Sequence, residues 1–400
     1  MQSSHSQQLR SSVASGREWT RVIGVSSTNN VNHNERKIMK NGIRSKSSAG
    51  KAARRAVTAV VVASVIAGAA GIMAGQGSAA PAGYGGYGGY PSKSAKFKTP
   101  KLKDGVLTIK GTKASDKITL RLQADDPNVL QVDVGDDGSA DFSFARSSIT
   151  KIVIRARAGN DLVRIDESKG AFTDSIPTTI DGGDGNDTIA GGKGVETLSG
   201  GRGNDTIDGN GGNDLALLGA GDDTFIWDPG DGSDTVEGQA GADTMRFNGA
   251  SGTDQVELSA NGHRLKFFRV QGNITMDTAG IERVDFNALG GTDLVTVDDL
   301  AGTDVSSVNV DLAGALGGGT ADGAADHVVV NATNGNDAID VSGDSATVKV
   351  SGLAATTRIL HSEVGKDRLD VNTLAGMDTV GSVGLAAGTI QFFVDGLLVP

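Results

Sequence analysis

The sequence predicts an all-β protein whose central part is a parallel β-solenoid. Three observations lead to this prediction. A nine-residue period runs through residues 182–246, Gly accounts for 59 of the 400 residues, and aromatic residues make up only 4%. Each period joins a glycine-rich turn to a short aliphatic stretch, so two periods can form one coil and stacked coils can form two parallel sheets. We expect Val, Ile, Leu and Ala to fill the core between the sheets.

The repeat is regular enough to assign a role to each position. In the frame that begins at Gly182 the units are GGDGNDTIA, GGKGVETLS, GGRGNDTID, GNGGNDLAL, LGAGDDTFI, PGDGSDTVE and GQAGADTMR, with Trp227 and Asp228 inserted before the sixth. Position four is Gly and position six is acidic in every unit. Because Gly adopts positive φ at low steric cost, we expect positions one to six to form turns. Positions seven to nine should form a short strand whose central, apolar residue points inward.

The acidic residues at position six are expected to stack. Turns of alternate units lie on the same edge of a solenoid, about 4.8 Å apart, as paired strands do. Carboxylates at that spacing repel each other unless a cation lies between them. Carboxylate and carbonyl oxygens, without His or Cys, favour calcium over zinc or copper. We therefore expect several Ca²⁺ ions as cofactors. Glycine-rich low complexity without metal does not account for the fixed period.

These features resemble the RTX, or hemolysin-type, calcium-binding nonapeptide G-G-x-G-x-D-x-U-x. The resemblance implies a parallel β-roll in which position-six carboxylates and turn carbonyls hold Ca²⁺ between turns of one edge. The implied pairs are Asp187 with Asp205, Asp205 with Asp223, and Glu196 with Asp214. Asp234 and Asp243 follow the two-residue insertion, so their partners stay open. The metal ligands predicted in this way are Asp184, Asp187, Glu196, Asp205, Asp214, Asp223, Asp234 and Asp243.

The regions on either side of the repeat also indicate β-structure. Residues 105–122 and 129–144 alternate apolar and polar residues around turns, which predicts strands. We interpret DVGDDG (133–138), inside the second stretch, as a hairpin turn. RAGNDLVRI (157–165) is similar to a degenerate repeat unit. After residue 247 a looser phrase recurs at 289–297, 333–341 and 374–383, which predicts further solenoid-like coils, or β-sandwich-like segments, with fewer metals. Asp293, Asp337 and Asp378 in these phrases are expected to cap turns rather than to bind metal.

Six segments follow from these patterns. We hypothesise that residues 1–38 are a non-native N-terminal extension and that Met39 is the true start. Residues 39–82 have the basic, apolar and small-residue parts of a signal peptide, with a membrane anchor as the alternative. The further segments are a Gly/Tyr/Lys linker at 83–101, an N-terminal β region at 102–181, the RTX β-roll at 182–246, and a C-terminal β-solenoid-like region at 247–400.

Charge and motifs narrow the expected function. Residues 1–80 contain 11 Lys and Arg against 2 Glu, whereas the rest of the chain contains 26 basic and 46 acidic residues. An acidic body does not favour nucleic acid as a partner. The chain has no Cys, no H-E-x-x-H and no G-x-S-x-G, so thiol, zinc-protease and α/β-hydrolase chemistry are not expected.

We expect a secreted or cell-surface protein that binds calcium ions, has no catalytic activity and does not span a membrane after signal cleavage. From about residue 100 onward the chain also resembles large secreted bacterial calcium-binding proteins that carry such repeats mid-chain. A surface or extracellular polysaccharide or protein would be its partner, and its identity stays open. The alternative is a carbohydrate-active enzyme, a polysaccharide lyase or epimerase, on a parallel β-helix that carries an RTX segment.

Overall fold

The computed structural model describes residues 97–344 and 346–400. The predicted extension at 1–38, the predicted signal peptide at 39–82 and most of the predicted linker at 83–101 lie outside the described residues. Within the described part of the chain, no helix is long and apolar enough to cross a membrane. The structure there consists of strands, turns and a single-turn 3₁₀ helix at Arg146–Ser148.

Strands follow one another along the whole described chain. Those before the repeat are β1 (Lys101–Lys103), β2 (Val106–Lys110), β3 (Lys117–Gln123), β4 (Asp126–Val134), β5 (Phe142–Ala145), β6 (Lys151–Ala158) and β7 (Leu162–Asp166). Those of the repeat are β8 (Thr178–Asp184), β9 (Thr188–Ala190), β10 (Glu196–Arg202), β11 (Thr206–Asp208), β12 (Leu215–Ala220), β13 (Thr224–Trp227), β14 (Thr235–Ala240) and β15 (Thr244–Asn248).

The strands after the repeat have similar lengths but longer connections. The first eight are β16 (Gln255–Asn261), β17 (Arg264–Arg269), β18 (Ile274–Ala279), β19 (Arg283–Asn287), β20 (Leu294–Val297), β21 (Ser307–Asp311), β22 (His327–Asn331) and β23 (Ala338–Gly343). The last six are β24 (Thr347–Ser351), β25 (Thr356–Leu360), β26 (Arg368–Asn372), β27 (Thr379–Leu385), β28 (Gln391–Val394) and β29 (Leu397–Leu398).

The strands form two long sheets that share one apolar core. Sheet A has 15 strands in the order β1-β2-β6-β8-β10-β12-β14-β18-β17-β16-β20-β22-β26-β28-β29. Sheet B has 14 strands in the order β27-β23-β24-β25-β21-β19-β15-β13-β11-β9-β7-β3-β4-β5. From β6 to β15 the chain alternates between the sheets, and each strand from β6 to β13 pairs in parallel with the strand two further on. β14 and β15 pair in parallel with β18 and β19. The prediction of an all-β parallel β-roll that continues as a solenoid beyond the repeat is confirmed.

The repeat period sets the register between coils. Thr206 of β11 lies opposite Thr188 of β9, a separation of 18 residues, which is two nine-residue units. The central residues Ile189 and Ile207 point inward and are fully buried. Three-residue strands, as the repeat predicts, are therefore found in sheet B.

In sheet A the expected strand length is wrong. β10 continues past its unit through Gly200, Gly201 and Arg202, and Gly201 pairs with Gly183 of β8. Gly201 has a φ of 116°, in the left-handed region where only Gly is unstrained. Glycine at this position lets the strand bend towards the edge while its hydrogen-bonded ladder continues, so the first three positions belong to the strand and the turn is shorter.

Through the repeat the core is aliphatic except for the buried Phe225, and it becomes aromatic at the C-terminal end of the repeat. Trp227 stacks on Phe247 with ring centroids 3.9 Å apart and planes 6° apart, and Phe267 lies 4.3 Å from Phe247. The antiparallel strands β16, β17 and β18 are inserted into sheet A here and contribute Phe267. The expectation of an aliphatic core thus fails at this level, because sheet B contributes Trp227 and Phe247 and the inserted strand β17 contributes Phe267.

Both flanks follow the predicted pattern. β3, β4 and β5 are antiparallel neighbours, so DVGDDG is a hairpin turn as expected. The carboxylate of Asp133 in this turn forms an ion pair with Arg121, with Oδ2 2.7 Å from Nη1. Sheets A and B run without interruption through the segments predicted as 102–181, 182–246 and 247–400.

Candidate metal centre

Acidic side chains lie in rows along the two edges of the solenoid. The first acidic row lies where the chain passes from sheet A to sheet B, and the second lies where it passes from sheet B to sheet A. The first row consists of Asp161, Asp187, Asp205, Asp223 and Asp243, and the second of Glu196, Asp214 and Asp234. Each of these eight residues is at most 3% exposed.

Hydrogen bonds between coils hold the first row in register. The backbone N–H of Asp187 donates to Oδ1 of Asp205 at 2.7 Å, and the N–H of Asp205 donates to Oδ1 of Asp223 at 2.7 Å. The same bond links Asp161 to Asp187 and Asp223 to Asp243. Each carboxylate thus uses one oxygen to fix the turn of the preceding coil.

The second row has the same pattern on the opposite edge. The N–H of Glu196 donates to Oδ1 of Asp214 at 2.6 Å, and the N–H of Asp214 donates to Oδ1 of Asp234 at 2.8 Å. The structure therefore brings together the pairs Asp187–Asp205, Asp205–Asp223 and Glu196–Asp214. It also gives Asp234 and Asp243 the partners that the sequence left open, Asp214 and Asp223.

The two-residue insertion leaves the rows intact because it is absorbed in one connection. Trp227 lengthens β13 and enters the core, and its Nε1 donates to the carbonyl of Gly232 at 2.8 Å. The N–H of Asp228 donates to Asp231 Oδ2 at 2.6 Å within the same turn. The spacing to the next coil rises from 18 to 20 residues while the position-six residues still align.

The second oxygen of each row member has no partner. Within residues 97–344 and 346–400, Oδ2 of the seven Asp residues and Oε1 of Glu196 are buried without a hydrogen bond. Burying an unpaired polar group is costly, and burying a charge without a counter-charge costs more. The rows therefore contain eight oxygens whose bonding capacity the described protein atoms leave unused.

Burial and mutual repulsion make these carboxylates weak acids. Burial, together with the neighbouring carboxylates, raises the pKa of Asp187 and Asp205 to about 7 and that of Asp214 to about 8. The pKa of Glu196 is also raised by burial. A cation beside the free oxygens would counter both causes, because it supplies the opposite charge that the desolvated carboxylates need.

The first glycine of the unit leaves room beside the free oxygen. A Cβ built on Gly200 would lie 2.4 Å from Oδ2 of Asp205 and 2.5 Å from the carbonyl oxygen of Leu218. A Cβ on Gly182 would lie 2.4 Å from Oδ2 of Asp187 and 2.7 Å from the carbonyl oxygen of Gly200. A carboxylate oxygen and a backbone oxygen thus meet at each glycine, and such an all-oxygen donor set fits calcium.

The rows are open arrangements of carboxylates and carbonyls. Among the described residues, no three His, Cys, Asp or Glu side chains converge on one point, so an ion in a row would need backbone carbonyl oxygens as well as carboxylates. Asp184 does not join the rows. Its side chain is 67% exposed and lies 3.9 Å from Arg202, so its role as a ligand stays a prediction.

The comparisons with known proteins agree with this geometry. The family model described as RTX calcium-binding nonapeptide repeat (4 copies) matches residues 179–195, 191–225 and 230–256. The chain carries RTX calcium-binding nonapeptide repeats. The RTX segment coincides with the first and second acidic rows, apart from Asp161.

Comparison with curated proteins gives no match. Among solved structures, the chain is similar to the extracellular lipase LipA from Serratia marcescens at 10% identity and a TM-score of 0.15. The similarity covers 52% of this chain and 43% of the lipase, so the chain spans less than half of that protein. A similarity at this level carries no argument about activity.

Several residues in these ladders were not among the predicted ligands. Asp161 extends the first row by one coil, and the row ends at Asp116 on one side and Glu282 on the other. An exposed ladder at position five accompanies the row, since the N–H of Asn204 donates to Oδ1 of Asn186 at 3.0 Å. The degenerate unit at 157–165 signalled Asp161, whereas nothing near Glu282 follows the repeat.

The pKa shifts predict how stability depends on pH in chelator. In the folded chain burial raises the pKa of six row Asp residues from 3.8 to about 6 to 8, and it also raises the pKa of the other two members, Asp223 and Glu196. Between about pH 4 and pH 8 the folded state therefore holds more protons than the unfolded state, so its stability falls as pH rises. We expect urea unfolding in chelator to show a higher midpoint at pH 5 than at pH 8. A midpoint that rises over this range would contradict the buried, unpaired rows.

Proposed function

We propose that the protein is an exported, non-catalytic calcium-binding protein whose RTX segment folds when it binds extracellular Ca²⁺. The observation that carries the proposal is the set of eight buried carboxylate oxygens without a partner among the described residues. At neutral pH these acids would have to be protonated or paired with a cation. Binding free energy would then become folding free energy.

The residues would divide the work in a simple way. Oδ1 of each Asp fixes the preceding turn, so it orients the carboxylate before any ion binds. Oδ2 is left for the ion, and the first glycine keeps side chains away from it. Ca²⁺ itself supplies the positive charge that offsets repulsion between neighbouring coils.

Export would provide the switch. RTX repeat proteins are typically secreted by bacteria, and residues 39–82 have the layout of a signal peptide. Sites with a Kd of about 10⁻⁴–10⁻³ M are filled in extracellular fluid and empty in the cytosol. The coils would therefore stay open during export and close outside the cell. The partner would be a surface or extracellular polysaccharide or protein.

The test is far-UV circular dichroism of the full chain at pH 7.5 during a calcium titration. We expect a cooperative gain of β-signal near millimolar calcium. Each ion would bind between two neighbouring turns, so ordering one turn favours ordering the next. Magnesium at the same concentration is the control, and it should have little effect because it binds poorly to flexible oxygen sites. A spectrum that is already β-rich in chelator and does not change with calcium would show that the aliphatic core suffices for folding.

The carbohydrate-active alternative has one structural feature in its favour. A groove of about 500 Å³ on sheet B is lined by strands β19, β21 and β25 and includes Arg283, Asp285, Asp311 and Arg358. Arg283 is paired with Asp285 at 2.6 Å, which leaves Arg358 as the Arg of this groove that could contact an anionic sugar polymer. Cleavage of an anionic polysaccharide by the calcium-loaded chain would favour this alternative over the non-catalytic proposal.

A further inference from the structure

A third acidic row lies outside the RTX segment. Four strands of sheet A, namely β16, β20, β22 and β26, are parallel neighbours, and an Asp immediately precedes each of them. These residues are Asp254, Asp293, Asp326 and Asp367, and each is at most 2% exposed. The coils between them contain 33 to 41 residues. The family match ends at residue 256 and leaves three of the four outside it.

The third row reproduces the bonding of the first. The N–H of Asp254 donates to Oδ1 of Asp293 at 2.6 Å, and the N–H of Asp293 donates to Oδ1 of Asp326 at 2.8 Å. The N–H of Asp326 continues the row to Oδ1 of Asp367 at 3.0 Å. The long coils thus recreate the turn geometry of the repeat without its sequence.

The two ends of the row are satisfied by protein groups. Arg269 lies against Asp254, with Nη2 2.5 Å from Oδ1, and the N–H of Ala250 donates to Oδ2 at 2.6 Å. At the other end, Oδ2 of Asp367 accepts the N–H of Glu363 at 2.6 Å. Neither end needs a further partner.

Asp293 in the interior differs from the ends. Its Oδ2 is buried without a hydrogen bond within the described part of the chain, the same condition as in the RTX rows. Burial raises its pKa to about 7, and the nearby carboxylate that contributes most is that of Asp326. Burial raises the pKa of Asp326 to about 7 as well, with Asp322 the first of its charged neighbours.

The charges around this pair are mostly negative. Asp322 is held by the N–H of Gly291 at 2.9 Å, and Glu363 and Asp367 approach from the following coil. Lys366 lies on that coil, but it is half exposed and its Nζ is turned to the carbonyl of Gly323 and to Glu363. Arg269 faces Asp254, one coil away.

We propose that Asp293 and Asp326 hold a calcium ion, in a site formed by the long coils and outside the nonapeptide repeats. The inference rests on the proposed function, since it assigns the same cation to the same turn geometry. The site extends calcium dependence into the C-terminal half of the solenoid. The ion supplies the positive charge for Asp293 and Asp326, as Arg269 does for Asp254.

The test is hydrogen–deuterium exchange of the full chain in chelator, in calcium and in magnesium, followed in peptides that cover 289–297 and 322–331. In the unaltered chain we expect calcium, but not magnesium, to slow exchange about tenfold in both peptides and also in peptides of the RTX segment. In Asp293→Asn the two peptides should lose this protection while the RTX peptides keep it. The number of calcium ions per chain should fall by one.

The variants separate a missing ion from a damaged fold. Asn at 293 keeps the oxygen that accepts the N–H of Asp254, so the turn bond is preserved, and Asp326→Asn should give the same local loss. Asp254→Asn is the control for the ion count, which should not change because Arg269 pairs with that carboxylate. This variant should also lower the stability, since it leaves the buried Arg269 without its counter-charge. If calcium protects the RTX peptides of the unaltered chain but not the 289–297 and 322–331 peptides, this inference is wrong and the proposed function still stands. A chain whose RTX peptides also ignore calcium overturns the proposed function with it.

Discussion

Asp205→Asn is expected to remove two calcium ions from the chain. Asp205 lies in the interior of the first acidic row and is linked to Asp187 on one side and Asp223 on the other. The amide keeps the oxygen that accepts the N–H of Asp187, but it lacks the charge. We expect the calcium concentration for half-maximal folding to rise about tenfold or more, since affinity follows the charge of the ligands. Circular dichroism and ion counting measure both effects.

Glu196→Gln is the matched comparison. In the second acidic row Glu196 is linked to Asp214 on one side, while on the other side it faces Thr173 and Glu167 of an irregular turn. This variant should lose one calcium ion instead of two. Its calcium concentration for half-maximal folding should therefore rise less than that of Asp205→Asn. If the two variants lose the same number of ions, the stacked arrangement of sites is wrong.

Gly200→Ala should destabilise the calcium-bound protein by about 3 kcal/mol, because a methyl group is forced into a packed site. The added Cβ would lie 2.4 Å from Oδ2 of Asp205 and 2.5 Å from the carbonyl oxygen of Leu218. Both oxygens are proposed to face the ion, so calcium affinity should fall together with stability. Urea unfolding at saturating calcium and a calcium titration give the two quantities.

Gly211→Ala is the control within the same repeat. Its added Cβ would meet no atom closer than 3.6 Å, and its φ lies outside the left-handed region. We expect the free energy of unfolding to stay within about 0.5 kcal/mol of the unaltered chain, because Ala at a compatible site also restricts the unfolded state. A similar loss in both variants would mean that glycine acts through chain flexibility and not through the space it leaves.

The sequence alone was sufficient for the fold class and for most of the acidic rows. A strict period of nine with Gly at position four and an acid at position six admits few folds, because each unit must turn and then present one apolar residue to a core. The pairs Asp187–Asp205, Asp205–Asp223 and Glu196–Asp214 follow from counting two units per coil. The hairpin at DVGDDG follows from local turn chemistry.

Other features depend on contacts between distant residues and were decided only by the tertiary structure. Sheet A strands extend through Gly200 and Gly201 because the neighbouring coil supplies hydrogen-bond partners there. Asp184 occupies a promising position in the repeat but faces solvent, since its turn directs it outward.

The third acidic row shows the same division most clearly. Asp254 and Asp293 are 39 residues apart and Asp293 and Asp326 are 33 apart, so no fixed period connects them. They become neighbours only when β16, β20 and β22 pair. The sequence singled out Asp293 as a turn cap, and its Oδ1 does accept the N–H of Asp254. Only the packed coils reveal that its second oxygen is buried without a partner in the described chain. Local periodicity determines which residues turn and which point inward, whereas burial and charge pairing depend on which coils lie above and below.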